Sequence, residues 1–375
     1  MSATPPEPLL PAYGGACLSS VVPALLDRTS GAPAWLPEVA AAARQVVLLV
    51  LDGLGWEQLQ ARPHLAPVLN GMAGGAITSV VPTTTATALT SITTGLPPAA
   101  HGVVGYRVKV GANDVLNVLR WTTAGTDARE AVPPEKFQPQ PTFAGTHPPV
   151  VTRAEFATTG FTAAHLFGAR LQGWRMPSAL TVHVRHLLRS GEQFVYAYYD
   201  GMDKVAHERG FGEYYDAELV ATDRLVADLV DALPPGAALV VTSDHGQVQV
   251  GESSIAIDAG LMEQVELLSG EGRFRWLHAR AGAADTLAEE ARGCYGEVAW
   301  VRTREELVEE GWLGGRPAPE VERRLGDVAL IAFEPVAFDD PADTGESRLV
   351  CRHGSLTADE ALVPLLACAA RGMEG

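Results

Sequence analysis

Three short apolar runs share one pattern: none alternates polar with apolar, each is rich in β-branched or aromatic residues, and each ends on an aspartate. They are Val46–Leu51 before Asp52, Phe194–Tyr199 before Asp200, and Ala238–Ser243 before Asp244. A strand that is apolar on both parities has no water-facing side. Such runs therefore predict strands buried on both faces, as in a parallel sheet covered by helices. Between them apolar residues recur at helical spacing, most clearly from Tyr214 to Leu233. The alternation predicts an α/β doubly wound core, a mostly parallel sheet with helices on both faces. In such sheets ligands gather at the carboxyl ends of the strands, where the three aspartates fall.

Two stretches depart from this rhythm within what otherwise reads as a single domain over residues 1–375. Residues 106–152 open with the pattern of a hairpin (Val108 to Trp121) and then turn proline-rich, which predicts a loop-rich excursion. Residues 251–345 read as strand, helix, strand, helix, strand over Phe274–Ala279, Ala283–Arg292, Glu297–Arg302, Arg304–Gly311 and Val328–Phe333. That order predicts a small inserted α+β subdomain.

The formal charge of −17 excludes nucleic acid as an expected partner, because phosphate backbones are held mainly by Lys and Arg. A small phosphorylated substrate is compatible with that charge only where bound cations reverse its sign locally. No apolar run approaches the ~20 residues that span a bilayer, so no membrane partner is expected. Neither a basic n-region nor an apolar h-region opens the sequence, and Cys17, Cys294, Cys351 and Cys368 are scattered without a CxxC pair. Both features lead to the expectation of free thiols in a reducing cytoplasm.

Four short segments carry candidate chemistry. Asp203 and His207 stand at i and i+4, which on a helix puts a carboxylate and an imidazole on one face, either for a metal or simply for solvent. Ser243-Asp244-His245-Gly246 follows a predicted strand directly, and its Asp and His suit two neighbouring metals or an N-cap beside a surface histidine. Arg352-His353-Gly354 has the look of a loop. From Pro82 to Gly95, small and hydroxylated residues run into a predicted helix closed by glycine. A hydroxyl at that helix start sits beside free N–H groups and the positive end of the dipole, a place suited to phosphate. Thr83 and Thr84 are N-cap candidates there, and a threonine needs a base or a metal before it attacks anything.

Taken in order, an Asp at a strand end, Thr before a helix, DxxxH, SDHG and a late HG resemble the alkaline phosphatase superfamily. The segment from Pro82 to Gly95 with His101-Gly102 after it is similar to the nucleotide pyrophosphatase/phosphodiesterase group. That resemblance implies two divalent metal ions, Zn²⁺ by ligand type with Mn²⁺ as the other candidate. It assigns one to Asp203, His207 and His353, and the second to Asp52, Asp244 and His245 with Thr85 completing the shell. Thr85 would be the catalytic nucleophile, forming a phospho-threonine intermediate that water then hydrolyses. Thr85 keeps the group's ten-residue spacing to Gly95, whereas Thr83 and Thr84 do not.

The implied activity is metal-dependent hydrolysis of phosphodiester or nucleotide pyrophosphate bonds. A phosphomonoesterase or phosphonate hydrolase of the same superfamily needs the same positions, and a catalytically inactive metal-binding module is the remaining alternative. Ala86 and Ala88 stand where the nucleotide group usually has an aromatic and an Asn, and Tyr106 stands where an Asn follows its HG. Asp200 is read as either a partner of a metal ligand or a strand-end cap. His64, His101, His147, His165, His183, His186 and His278 have no matched role and are read as structural or surface residues.

Overall fold

In the computed structural model the three aspartate-terminated runs are adjacent parallel strands. Residues 5–27, 31–343, 345 and 348–370 are described. Along the chain the central sheet takes β1 (Gln45–Leu51), β2 (Ala73–Thr78), β3 (Pro149–Arg153), β4 (Arg170–Trp174), β5 (Phe194–Tyr199), β6 (Ala237–Thr242) and β7 (Leu362–Ala369). Their spatial order is β2-β7-β6-β1-β5-β3-β4. β1 lies between β6 and β5 and is parallel to both, β3 and β4 extend the parallel set, and β7 runs antiparallel between β6 and β2. The sheet is thus mostly parallel, as the runs predict.

Both faces of β1 are covered, which is why its sequence shows no alternation. Val46, Leu48 and Val50 pack with α1 (Leu18–Leu26) and α2 (Thr85–Thr94) on one side. Val47, Leu49 and Leu51 pack on the other with α3 (Pro177–Arg189), α4 (Gly201–Arg209) and α5 (Glu213–Ala232). The predicted Tyr214–Leu233 helix is α5, one residue out of step at each end. Among the described residues no helix is long and apolar enough to cross a membrane.

Register decides what the strand ends bring together. Val50 pairs with Thr242 and Leu51 with Tyr199. Asp52, Asp200 and Asp244 therefore leave the carboxyl edge at one level. Each strand is short and apolar, so a slip of one residue would turn its whole set of side chains to the opposite face.

The excursion differs from its predicted form at both ends. Its hairpin is a four-stranded antiparallel meander of very short strands (Arg107–Lys109, Val115–Asn117, Thr122–Thr123 and Thr126–Asp127). Its last residues, from Pro149 onward, are β3 of the central sheet. The two prolines at 148 and 149 mask that strand in the sequence, yet β3 tolerates Pro149 because it is the first strand residue, where a missing N–H matters least.

Within 251–345 the five predicted elements fall close to their observed positions, with three more before them: the Ser254–Ile255 strand, the Ala259–Gln264 helix and the Val265–Glu271 strand. The four strands form one antiparallel sheet in the order 265–271, 274–279, 328–332, 299–303. One face of this sheet (Phe274, Trp276, Ile331) joins the main core, while the other (Leu277, Val328, Leu330) packs on the Ala284–Tyr295 helix. A buried ion pair fastens this sheet to the loops at the site. Arg273 Nε and Nη2 donate to Glu360 Oε1 and Oε2, both at 2.8 Å, and neither side chain is exposed.

Candidate active site

Asp52 follows β1, and Gly53 turns the chain away at φ +74°. A Cβ on Gly53 would stand 2.6 Å from Gln247 Nε2 and 2.8 Å from the Asp203 Cα, closer than atoms pack. This close approach lets the Asp203 N–H donate to the Asp52 carbonyl at 3.0 Å and brings two loops into one centre. Gly53→Ala is expected to destabilise the fold by about 1–3 kcal/mol through strain at a left-handed position plus the clash. It should also weaken metal retention. Thermal unfolding with elemental analysis checks this, and an unchanged melting temperature would show that the turn relaxes freely.

Each of the two deepest carboxylates has one oxygen satisfied by protein and one left bare. Asp244 Oδ1 accepts from the N–H groups of Gly53 at 3.1 Å and His245 at 3.0 Å, and Asp52 Oδ2 accepts from the Tyr198 hydroxyl. Asp52 Oδ1 and Asp244 Oδ2 are buried without a hydrogen-bond partner. They lie 3.6 and 3.4 Å from His245 Nε2. Burial first, then the charges of Asp244 and Asp203, pushes the Asp52 carboxyl well above its ordinary value. Anions collected this way call for a cation.

The three site histidines share one orientation. Nδ1 of His207 faces the Cys351 carbonyl at 2.7 Å, that of His245 the Gly246 carbonyl at 3.0 Å, and that of His353 the Thr83 carbonyl at 2.9 Å. A carbonyl only accepts, so each Nδ1 carries a proton and each ring turns its Nε2 toward the site carboxylates. Fixing a ring through its far nitrogen is how metal-binding histidines are held. His207 Nε2 and His353 Nε2 lie 3.0 and 3.9 Å from Asp203 Oδ1, which also accepts from Gln247 Nε2 at 2.9 Å. The His245 and His353 rings stack with centroids 3.5 Å apart. Burial, then the neighbouring His245 and His207, holds His353 well below the usual imidazole value, which keeps it a neutral donor. Burial pushes the Asp203 carboxyl up, but His207 and then His353 and His245 outweigh it and hold it low.

Ligand atoms of Asp52, Asp244 and His245 lie within 4.8 Å of one another, as do those of Asp203, His245 and His353. The buried bare oxygens, with the Nε2 atoms turned toward them, fit divalent cations. His245 stands in both groups, a sharing that the one-set-per-metal division from sequence lacks.

Thr85 is the first residue of α2, and its Oγ1 lies 3.1 Å from His245 Nε2. Thr84 is the N-cap, with no side-chain capping bond. Thr83 is otherwise engaged: its Oγ1 donates to the Ser355 carbonyl at 2.7 Å and accepts from the Gly354 N–H at 3.1 Å. Two cavities of ≈ 250 Å³ each meet at Thr85. One is walled by Leu89, Phe156, Phe161, Tyr196 and Tyr198, the other by Tyr106, Arg120, His207, Arg352 and His353.

Several positions that sequence left open are settled by their neighbours. The Tyr106 hydroxyl accepts from Asn117 Nδ2 at 2.5 Å, at the rim of the second cavity. Asp200 pairs with Arg153 at 2.7 Å and Lys204 at 2.6 Å, and gives α4 no side-chain cap. His101 has both ring nitrogens committed, one to Ser91 Oγ at 2.8 Å and one to the Val103 N–H at 3.1 Å, which makes it structural. Gly53, Tyr198 and Gln247 were missed from sequence. Gln247 lies three residues after Asp244, but nothing in a lone glutamine marks it as a partner of Asp203.

Carboxylates and imidazoles at the carboxyl edge of a doubly wound sheet, beside a threonine at a helix start, define the alkaline phosphatase superfamily. The sequence profile of type I phosphodiesterase / nucleotide pyrophosphatase matches residues 46–356, and the chain belongs to that family. Among curated proteins none matches this sequence. Of solved structures, murine ectonucleotide pyrophosphatase / phosphodiesterase 5, as an inactive variant in complex with AMP, is similar with a TM-score of 0.65. It shares 17% identity over 87% of this chain and 88% of that one. The human ectonucleotide pyrophosphatase / phosphodiesterase 5 gives a TM-score of 0.63 at 16% identity, covering 87% and 88%. Phosphonoacetate hydrolase from Sinorhizobium meliloti 1021, in complex with phosphonoacetate, gives 0.63 at 19% identity, covering 89% and 92%.

Proposed function

We propose that this chain hydrolyses phosphodiester or nucleotide pyrophosphate bonds, with Thr85 as nucleophile and two divalent cations, Zn²⁺ by donor type, as cofactors. The observation that carries the reading is the common orientation of His207, His245 and His353. All three rings are pinned through Nδ1 to backbone carbonyls and turn Nε2 toward the carboxylates beside Thr85. Asp52, Asp203, His207, Asp244, His245 and His353 would hold the cations. Bound there, two cations supply positive charge that promotes loss of the attacking hydroxyl's proton and offsets charge on the transferring phosphoryl group.

In the proposed reaction Thr85 Oγ1 forms the new bond to phosphorus as the bond to the leaving oxygen breaks, giving a phospho-threonine. Water then cleaves that ester, returning the threonine hydroxyl and releasing a phosphate product. The N–H groups opening α2 face the phosphoryl group with the positive end of the helix dipole. Two cavities meeting at Thr85 suit a phosphorus that carries a substituent on each side, which favours a diester over a monoester. Free thiols at all four cysteines support a reducing, cytoplasmic setting.

The p-nitrophenyl ester of thymidine 5′-monophosphate should turn over faster than p-nitrophenyl phosphate. The reverse preference would favour a phosphomonoesterase, and turnover of neither would favour an inactive metal-binding module. The purified protein should hold about two zinc equivalents. Asp203→Ala is expected to loosen one ion and Asp52→Ala the other, while His245→Ala loosens both because it stands in both groups. Equal loss of both ions in every variant, read by elemental analysis, would refute the partition.

A further inference from the structure

Lysine is scarce in this chain: Lys109, Lys136 and Lys204 are all it has. Lys204 pairs with Asp200 beside the proposed nucleophile. The other two, 27 positions apart in sequence, line one concavity of ≈ 590 Å³ together with Arg323 and Arg324. It lies between the excursion and the short Pro319–Glu322 helix, and it shares no lining residue with either cavity at Thr85.

Four cations stand there against one lining carboxylate, Glu320, which reaches Arg323 at 3.9 Å. Neither Lys109 nor Lys136 is in an ion pair among the described residues, while the chain as a whole carries −17. Arg324 is oriented by its surroundings: Nη1 donates to the Gly102 carbonyl at 2.5 Å and Nη2 to the Phe137 carbonyl at 3.0 Å. Its guanidinium carbon lies 3.8 Å from the Phe137 ring centroid. Burial is the main cause that lowers the Arg324 pKa to about 10, with Glu320 opposing it and Arg323 adding to it. Val110, Val132 and Phe137 supply apolar wall.

We propose that this groove binds a small molecule bearing a diphosphate or triphosphate group, at a site separate from the metal centre. Clustered cations in a concave wall raise the local concentration of anions, and arginine and lysine together match phosphate oxygens as fork and point charge. The volume falls within the range of small-molecule pockets. The net charge of −17 disfavours a nucleic acid polymer, so the ligand is small.

The test is equilibrium dialysis of the metal-loaded protein with methylenediphosphonate, whose bridging carbon resists hydrolysis, comparing wild type with the double variant K109A/K136A. Lys136 is exposed and Lys109 half-buried, so the variant is expected to keep its melting temperature and its turnover of a p-nitrophenyl ester. Where that control fails, R323A at the exposed rim replaces it. The expected result is loss of about one bound equivalent in the variant, and weakening of that equivalent by salt in wild type. Identical binding in both proteins overturns the proposal, and so does a lost equivalent that salt leaves untouched. Because the readout is binding, the groove is tested whatever substrate the metal centre cleaves.

Discussion

Thr85→Ala is expected to keep its fold and its metals while losing turnover by at least ~10³-fold, equivalent to roughly 4 kcal/mol of transition-state stabilisation. The side chain is small, and its Oγ1 meets His245 Nε2 at 3.1 Å. Its removal therefore leaves the packing of α2 on the sheet intact. What disappears is a hydroxyl held at the helix start within reach of both candidate metal groups, and a freely diffusing water would have to replace it. Thr85→Ser should retain part of the activity because the hydroxyl and its position survive. Thr83→Ala tests something different. Thr83 Oγ1 bonds Ser355 and Gly354, and its carbonyl holds His353, so that variant should disturb the His353 loop. Rapid-quench trapping of the phosphoenzyme separates these cases. A phosphoenzyme that accumulates in Thr85→Ala and vanishes in Thr84→Ala would place the nucleophile one residue earlier.

Arg273→Leu should cost about 3–5 kcal/mol of stability, because it leaves the Glu360 carboxylate buried without its cation. Glu360 does more than pair with Arg273: its Oε1 accepts from the Ser355 N–H at 3.0 Å and its Oε2 from the Thr357 hydroxyl at 2.6 Å. Its carbonyl accepts from the Gly246 N–H at 2.9 Å. One residue thus ties the loop after His245 to the loop after His353, and Arg273 anchors it to the second sheet. Arg273→Leu is accordingly expected to lower the denaturation midpoint and also to weaken metal affinity, although Arg273 touches no candidate ligand. The double variant R273L/E360L, with no stranded charge, should recover part of the stability. Chemical denaturation of the three proteins decides. Equal loss in the single and double variants would mean that the clamp acts through packing alone.

The sequence by itself determined the class of fold and picked out most of the candidate residues that the structure gathers at one centre. Buried parallel strands announce themselves because both faces of β1 must be apolar, and a candidate ligand at a strand end is visible as the aspartate that breaks the run. The threonine helix was legible from small residues bracketed by Pro82 and Gly95. Of the Arg107–Asp127 meander only the first hairpin was legible, and β3 was not, since strands of two or three residues carry almost no periodicity and Pro148-Pro149 reads as loop. Val265–Glu271 was missed for a related reason: Gly270 and two glutamates dilute a strand whose place is set by its partner 274–279.

Only the tertiary structure decided how the candidate residues are held. Asp52 and Asp244 share one level because β1 and β6 are in register, and each keeps one bare oxygen because Tyr198, Gly53 and the His245 amide occupy the other. The ring tautomers follow from carbonyls at Thr83, Gly246 and Cys351, two of them far from their histidine in sequence. Side-chain identity is local, and a linear chain displays it. Which lone pair faces which oxygen depends on contacts between residues well over a hundred positions apart, and those exist only once the sheet has closed.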